Sequence, residues 1–124
     1  MLRSRLLSAS QRLNDCQVRD SAHVTPGDAG DHVARIQQAL IRIDRADIAE
    51  SELSNTRYGD STAAAVMAYK AARSIINRAY QTTPDNIVGK MTITSLDNEM
   101  APLERGVSDE FFGAGLRPIR RQLA

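Results

Sequence analysis

A chain of 124 residues is the size of a single domain, and an apolar share of 42% is enough for a hydrophobic core. Because aromatic residues make up only 4%, that core must be built mainly from aliphatic side chains. The 16 basic and 15 acidic residues nearly cancel, so the charge balance gives no electrostatic case for binding nucleic acid.

The sequence shows no sign of a disulfide, a secretory leader or a membrane span. Cys16 is the single cysteine, so no internal disulfide can form. Residues 1–10 are basic at the start but lack the apolar run of about 7–15 residues found in signal peptides. No segment reaches the roughly 20 apolar residues that cross a bilayer. We therefore expect no membrane insertion, and either a cytoplasmic location or export by a leaderless route.

The N-terminal part predicts one helix and then an irregular connection. Leucine and alanine recur at intervals of four, three and four over residues 2–13, which places them on one helical face, and Asn14 and Asp15 provide a stop. Residues 16–30 have no helical period, and Pro26 followed by Gly27 predicts a turn.

Residues 31–44 give the clearest helical pattern. Asp31 at its start can accept hydrogen bonds from first-turn amides. The weaker pattern of residues 45–56 leaves open a helix or a short packed loop. The inward face of the clear helix is formed by Val33, Ile36, Leu40 and Ile43.

Two more helices are expected in the C-terminal half. One begins at Gly59–Ser61, buries Tyr69 and runs to about Ala79. The other follows Gly89 and ends before Pro102. Beyond residue 105 the pattern is irregular, and we interpret the end of the chain as a partly ordered arm that carries two phenylalanines. The inward residues of the last helix are Ile93, Leu96 and Met100.

Both of these helices begin with the same phrase. A large side chain, glycine, two variable residues and threonine occur at residues 58–62 (YGDST) and again at residues 88–92 (VGKMT). Glycine tolerates backbone angles that other residues resist, and a first-turn threonine can bond back to amides that the helix leaves unpaired. The repeat therefore predicts a compact helical module with two equivalent helix starts.

Taken in order, these segments resemble the peptidoglycan-binding-like domain, a small helical module of bacterial cell-wall proteins. The resemblance covers residues 26–100 and rests on three ordered phrases. The chain departs from the family pattern at Lys70, where glutamine is usual, and at Asn86, where glycine is usual. Asparagine is the best substitute where the backbone is left-handed. The matching residues are Gly30, Val33, Ile36, Gln37, Leu40, Gly59, Thr62, Ala65, Val66, Tyr69, Asp85, Ile87, Val88, Gly89, Thr92 and Leu96.

The resemblance implies a mainly α fold: a compact orthogonal bundle of three core helices with an additional N-terminal helix and irregular connections. The expected division is an N-terminal helix and lead-in over 1–25, the peptidoglycan-binding-like domain over 26–100, and the partly ordered arm over 101–124. The family also implies a place in the cell envelope or periplasm.

The implied function is a non-catalytic module that binds peptidoglycan or muropeptide fragments, needs no cofactor, and targets a partner such as a secreted enzyme or effector to the wall. The alternative is a protein–protein adaptor that keeps the fold without binding carbohydrate, with Phe111 and Phe112 as a docking element. Hydrogen-bond donors, cations and aromatic side chains near the two repeated turns are the candidate ligand contacts. These are Arg57, Tyr58, Arg73, Asn77, Arg78, Tyr80 and Asn86.

No catalytic set stands out. A metal site or nucleophile built from cysteine, histidine and aspartate residues follows no recognised spacing, so a buried thiol and loop histidines are the simpler interpretation. Glu50 and Glu52 could suggest glycoside hydrolysis, but neighbouring carboxylates are common on solvated helix ends. The metal candidates rejected on this ground are Cys16, His23, Asp28 and His32.

Overall fold

The computed structural model describes residues 1–76 and 85–110, with residues 106–110 given by their backbone only. Within these ranges the chain forms helices and isolated bridges but no β-strand. The expectation of a mainly α fold is confirmed. The helices are α1 (Arg5–Ser8), α2 (Gln11–Cys16), α3 (Asp31–Asp44), α4 (Glu50–Ser54), α5 (Asp60–Ala72) and α6 (Lys90–Glu110), with a 3₁₀ turn at Asp20–Ala22.

The core lies between the three long helices, because α3 packs against both α5 and α6. Tyr69 of α5 is fully buried, as expected, and its hydroxyl hydrogen-bonds to Ser95 and Glu99 of α6. Of the helices in the described ranges, none combines the length and apolar character needed to cross a membrane. The predicted inward residues are buried at Val33, Ile36, Leu40, Ile93, Leu96 and Met100, and partly buried at Ile43.

The prediction of one N-terminal helix is wrong, because the chain forms two short helices there. Ser10 has an extended backbone and its hydroxyl accepts a hydrogen bond from the amide of Leu13, at 3.3 Å, which makes it the N-cap of α2. Ser4 caps α1 in the same way through the amide of Leu7. Each serine starts a new helix, so the leucine pattern is shared between two elements.

These N-terminal residues belong to the same core as the rest of the described chain. Asp97 of α6 accepts hydrogen bonds from the amides of Arg3 and Ser4, at 2.9 and 2.7 Å. Glu104 of α6 accepts one from the amide of Arg5, at 2.7 Å. The expected lead-in is therefore bound to the last helix through its main chain. Its buried side chains in the common core are Leu2, Leu7, Leu13 and Cys16.

The structure corrects the ends of α5 and α6. Helix α5 ends at Ala72 and not near residue 79, because Ser74 adopts a left-handed conformation with φ of 56°. The amide of Ile75 then bonds to the carbonyl of Lys70 at 2.9 Å, which closes the helix end. Helix α6 continues through Pro102 to Glu110, whereas the sequence predicts an end before the proline. Phe111 and Phe112 lie outside the described residues.

Candidate binding groove

The two repeated turns lie beside each other, joined by the irregular segment that precedes α3. Val24 in this segment forms an antiparallel bridge with Val88, with hydrogen bonds of 3.0 and 2.9 Å. Ala29, five residues later, forms another bridge with Arg57. The hydroxyl of Tyr58 donates to the carbonyl of Asn86, which links the two turns directly.

The turn at residues 58–62 packs against the side chain of Glu52. This carboxylate is only 5% exposed and accepts hydrogen bonds from the amides of Gly59, Ser61 and Thr62 at 3.2, 3.0 and 2.9 Å. The hydroxyl of Thr62 also donates to it at 2.7 Å. Glu52 therefore pairs first-turn amides of α5, a role that the sequence assigns to the threonine. Its interpretation as a solvated helix-end carboxylate is wrong.

The geometry explains the glycine and the acidity of this turn. Gly59 has φ of −103°, so its backbone does not require glycine, but an added Cβ would lie 2.7 Å from the carboxyl carbon of Glu52. Burial raises the pKa of Glu52, but the hydrogen bonds from Ser61 and Thr62 together outweigh burial and bring the pKa down to about 2. The carboxylate thus stays charged beneath the turn.

The turn at residues 88–92 has a different neighbour. His23 lies over Gly89, where an added Cβ would come within 3.1 Å of its Nε2 atom. Cys16 lies behind the turn, with its Sγ atom 3.4 Å from the carbonyl oxygen of Val88. Burial, opposed by the nearby Arg12, raises the pKa of the Cys16 thiol to about 11. The cysteine is therefore the buried, protonated thiol that the sequence suggests.

A groove of about 540 Å³ opens beside the second turn. Its apolar wall comes from Ile75, Ile76, Ile87 and Met91, and Met91 is 56% exposed. The ionisable side chains of the lining are two lysines, two aspartates and a histidine, so the formal charges of the lysines and aspartates cancel. The polar residues are Asp20, His23, Lys70, Asp85, Lys90 and Thr92.

The charged residues of the groove form two groups. Lys70 is buried, and its ammonium contacts the carboxylate of Asp85 and donates to the carbonyl of Ile87 at 2.8 Å. At the other group, Lys90 lies 3.2 Å from the carboxylate of Asp20. The side chains of this second pair are 47% and 80% exposed. The first group therefore fixes the turn, and the second faces solvent.

The predicted ligand contacts lie in different environments. Arg57 is exposed next to the first turn, whereas the ring of Tyr58 is fully buried and offers no exposed surface. Asn86 is partly buried, and its φ is not positive, so the expected left-handed backbone at this position is wrong. Its backbone carbonyl accepts the Tyr58 hydrogen bond. Asn77, Arg78 and Tyr80 lie outside the described residues.

Arg73 is bound to other parts of the fold. Its guanidinium pairs with Glu99 and Asp44, and it stacks on the ring of Tyr69 at 3.7 Å from the ring centre. Hydrogen bonding to Glu99 and Asp44 raises the pKa of Arg73. The same bond with Arg73 lowers the pKa of Glu99, against the opposing effect of burial. Arg73 therefore joins α3, α5 and α6 and does not line the groove.

The residues that do line the groove were not chosen from the sequence. Lys90 and Met91 occupy the two variable positions of the second repeated phrase, so comparing the two phrases could have singled them out. His23 reaches the same place through a contact across 66 positions, which no local pattern reveals. Among the described residues, no group of three or more cysteine, histidine and acidic side chains is arranged to hold a metal ion.

Comparisons with protein-family models, with curated proteins and with solved structures found no match to this chain.

Proposed function

We propose that this chain is a non-catalytic module that binds peptidoglycan or muropeptide fragments and holds an associated protein at the bacterial cell wall. The proposal combines the three ordered sequence phrases with the groove beside the second repeated turn. The groove is the observation on which the proposal depends, because it offers mixed polar and apolar surface next to the motif. Location at the envelope is part of the same proposal.

The chemistry of the groove suits such a ligand. Peptidoglycan presents sugar hydroxyls, peptide amides and free carboxylates, together with the apolar faces and methyl groups of its building blocks. Lys90 can bind a carboxylate, and His23 has a ring nitrogen that makes no hydrogen bond with the residues the structure describes. Met91 and Ile76 provide carbon surface for the apolar part of the ligand. Few well-placed polar groups on an apolar wall are typical of small-molecule sites.

The acids of the groove are treated as fixed charges in this proposal. Asp20 and Asp85, which both line it, lie beside Lys90 and Lys70 respectively. No reaction step is assigned to them.

The test is co-sedimentation of the full chain with purified sacculi at low and moderate salt. The apolar wall of the groove should hold the ligand when salt screens the exposed Lys90–Asp20 pair, so we expect retention at both salt concentrations, weaker at the higher one. Retention only at low salt would indicate nonspecific attraction and contradict the proposal. Absence of retention at both would also contradict it and would favour the adaptor alternative.

A pair of variants makes the test specific to the groove. Met91→Asp places a charge on its exposed apolar wall and should reduce retention at least tenfold. Arg42→Ala removes an exposed charge from α3, outside the groove, and should leave retention unchanged. Thermal unfolding of both variants controls for loss of the fold. If folded Met91→Asp is retained like the parent, the ligand binds elsewhere.

A further inference from the structure

We infer that the groove binds a small dipolar ligand that carries both a free ammonium and a free carboxylate. This inference rests on the proposed function, because it names the chemical class of the muropeptide fragment that the same groove recognises. It depends on how the charges are arranged around Asp20. One oxygen of Asp20 lies 3.2 Å from Nζ of Lys90 and 3.5 Å from Nε2 of His23.

This cluster can exchange partners with a ligand at little cost. The side chains of Asp20 and Lys90 are 80% and 47% exposed, and exposed ion pairs contribute little to stability. An incoming carboxylate can therefore bind Lys90 while an incoming ammonium binds Asp20. Each internal charge exchanges one partner for another, so no charge is left unpaired in the groove.

His23 favours the carboxylate at the same point. Its Nε2 atom is shielded from solvent and makes no hydrogen bond with the described residues. It also lies against Gly89, within the turn that carries Lys90. When Asp20 has turned to a ligand ammonium, a ligand carboxylate can take its place between Lys90 and His23 and give the imidazole a hydrogen-bond partner, because a ring nitrogen that carries a proton is a donor.

The rest of the groove limits the class of ligand. The ammonium of Lys70 is already bound to Asp85 and to the carbonyl of Ile87, so the second lysine does not add an open cation. Lys70 and Asp85 neutralise each other, as do Lys90 and Asp20, so the groove offers a polyanion no excess positive charge. An uncharged glycan would leave the ionic groups unused. A dipolar ligand with a short apolar body uses the ionic cluster and the wall formed by Met91.

The experiment is a calorimetric titration of the full chain with D-alanyl-D-alanine and two capped forms, the N-acetyl dipeptide and the dipeptide amide. We expect the uncapped dipeptide to bind and each cap to weaken binding at least tenfold. In Lys90→Ala, capping the carboxylate should no longer weaken binding. In Asp20→Asn, capping the amine should no longer weaken binding. Arg42→Ala, which changes an exposed charge outside the groove, should behave as the parent.

The outcomes separate this inference from the proposed function. Equal binding of all three probes, or no binding of any of them, would overturn the inference. If the same protein preparation is retained on sacculi, the wall-binding proposal still stands. Selective binding of the uncapped dipeptide without retention on sacculi would support the inference and overturn the wall-binding proposal. Cap effects that persist unchanged in Lys90→Ala and Asp20→Asn would overturn the assignment to this groove.

Discussion

The two repeated turns start helices in the same way but differ in what lies next to them. In both, the carbonyl of the glycine accepts the bond from the amide four residues later, at 2.9 Å for Gly59 and 3.0 Å for Gly89. The first turn lies on the buried carboxylate of Glu52. The second lies beneath His23 and borders an open groove. One local sequence phrase thus sets a helix start, while the neighbouring elements decide whether it is sealed or accessible.

The largest expected effect is the difference in stability between adding a methyl group at Gly59 and adding one at Gly89. Gly59→Ala should lower the free energy of unfolding by about 3 kcal/mol, since the Cβ would collide with a buried carboxylate that holds three amides. Gly89→Ala should cost less than about 1 kcal/mol, because the His23 side chain is 33% exposed and can move. Urea unfolding of both variants measures this difference. Equal losses would show that the two turns are packed alike.

The next effect is the acid sensitivity of the first turn. The pKa of Glu52 is about 2 in the fold against 4.5 for the free side chain, so its stabilisation is complete above pH 4.5 and is lost as the pH falls towards 2. Glu52→Gln should lower stability at pH 7 by about 2 kcal/mol, since its amide group cannot accept all the bonds of the carboxylate.

Chemical denaturation of the parent and of Glu52→Gln between pH 7 and pH 2 checks this prediction. The dependence of stability on pH should be shallower in the variant. The pKa values of Glu99 and Glu104 are also lowered, because hydrogen bonds from Arg73 to Glu99 and from the N-terminal segment to Glu104 outweigh burial. Some dependence of stability on pH should therefore remain in the variant. Parallel pH profiles would contradict the role assigned to Glu52.

Substitution of Arg73 should change the stability of the fold without changing retention on sacculi. Arg73→Ala should lower the free energy of unfolding by about 1.5 kcal/mol, because it removes charged hydrogen bonds to Glu99 and Asp44 that connect α6 and α3 to α5. Retention on sacculi at a temperature where the variant is folded should match that of the parent. A folded variant that loses retention would instead place the ligand at Arg73, where the sequence predicts a contact.

The last expected effect is at Lys70. Lys70→Gln replaces the ammonium with an amide and should cost about 1 kcal/mol, because the bonds to Ile87 and Asp85 are weakened. Thermal unfolding of Lys70→Gln, Asp85→Asn and the double variant gives their coupling. Additive losses would contradict the pairing that fixes the approach to the second turn.

The helix starts and the inward faces could be predicted because both depend on local pattern. Glycine preceding α5 and α6 and the aliphatic spacing of α3 are visible within a few residues. The end of α5 could not be predicted from the sequence, because Ser74 takes the left-handed conformation for which glycine is the usual signal. The helix end predicted before Pro102 is wrong, because α6 continues through this residue although proline has no amide hydrogen to donate.

The site was harder to predict because it is assembled from distant segments. Glu52 acts on a turn seven to ten residues away, and its acidic neighbour Glu50 gives no hint that only one of them is buried. Asp20 and His23 come from an irregular stretch with no helical period, and they meet Lys90 only in the folded chain. Composition and spacing reveal which segments fold, but not which segments meet.

The most direct test of the proposed binding site follows the backbone amides of the full chain by NMR while soluble muropeptides are added. We expect chemical-shift changes concentrated at His23, Gly89, Lys90 and Met91, with Gly59 unchanged. Changes concentrated at Gly59 and its neighbours, or no changes at saturating muropeptide, would contradict the claim that the second repeated turn is the binding site.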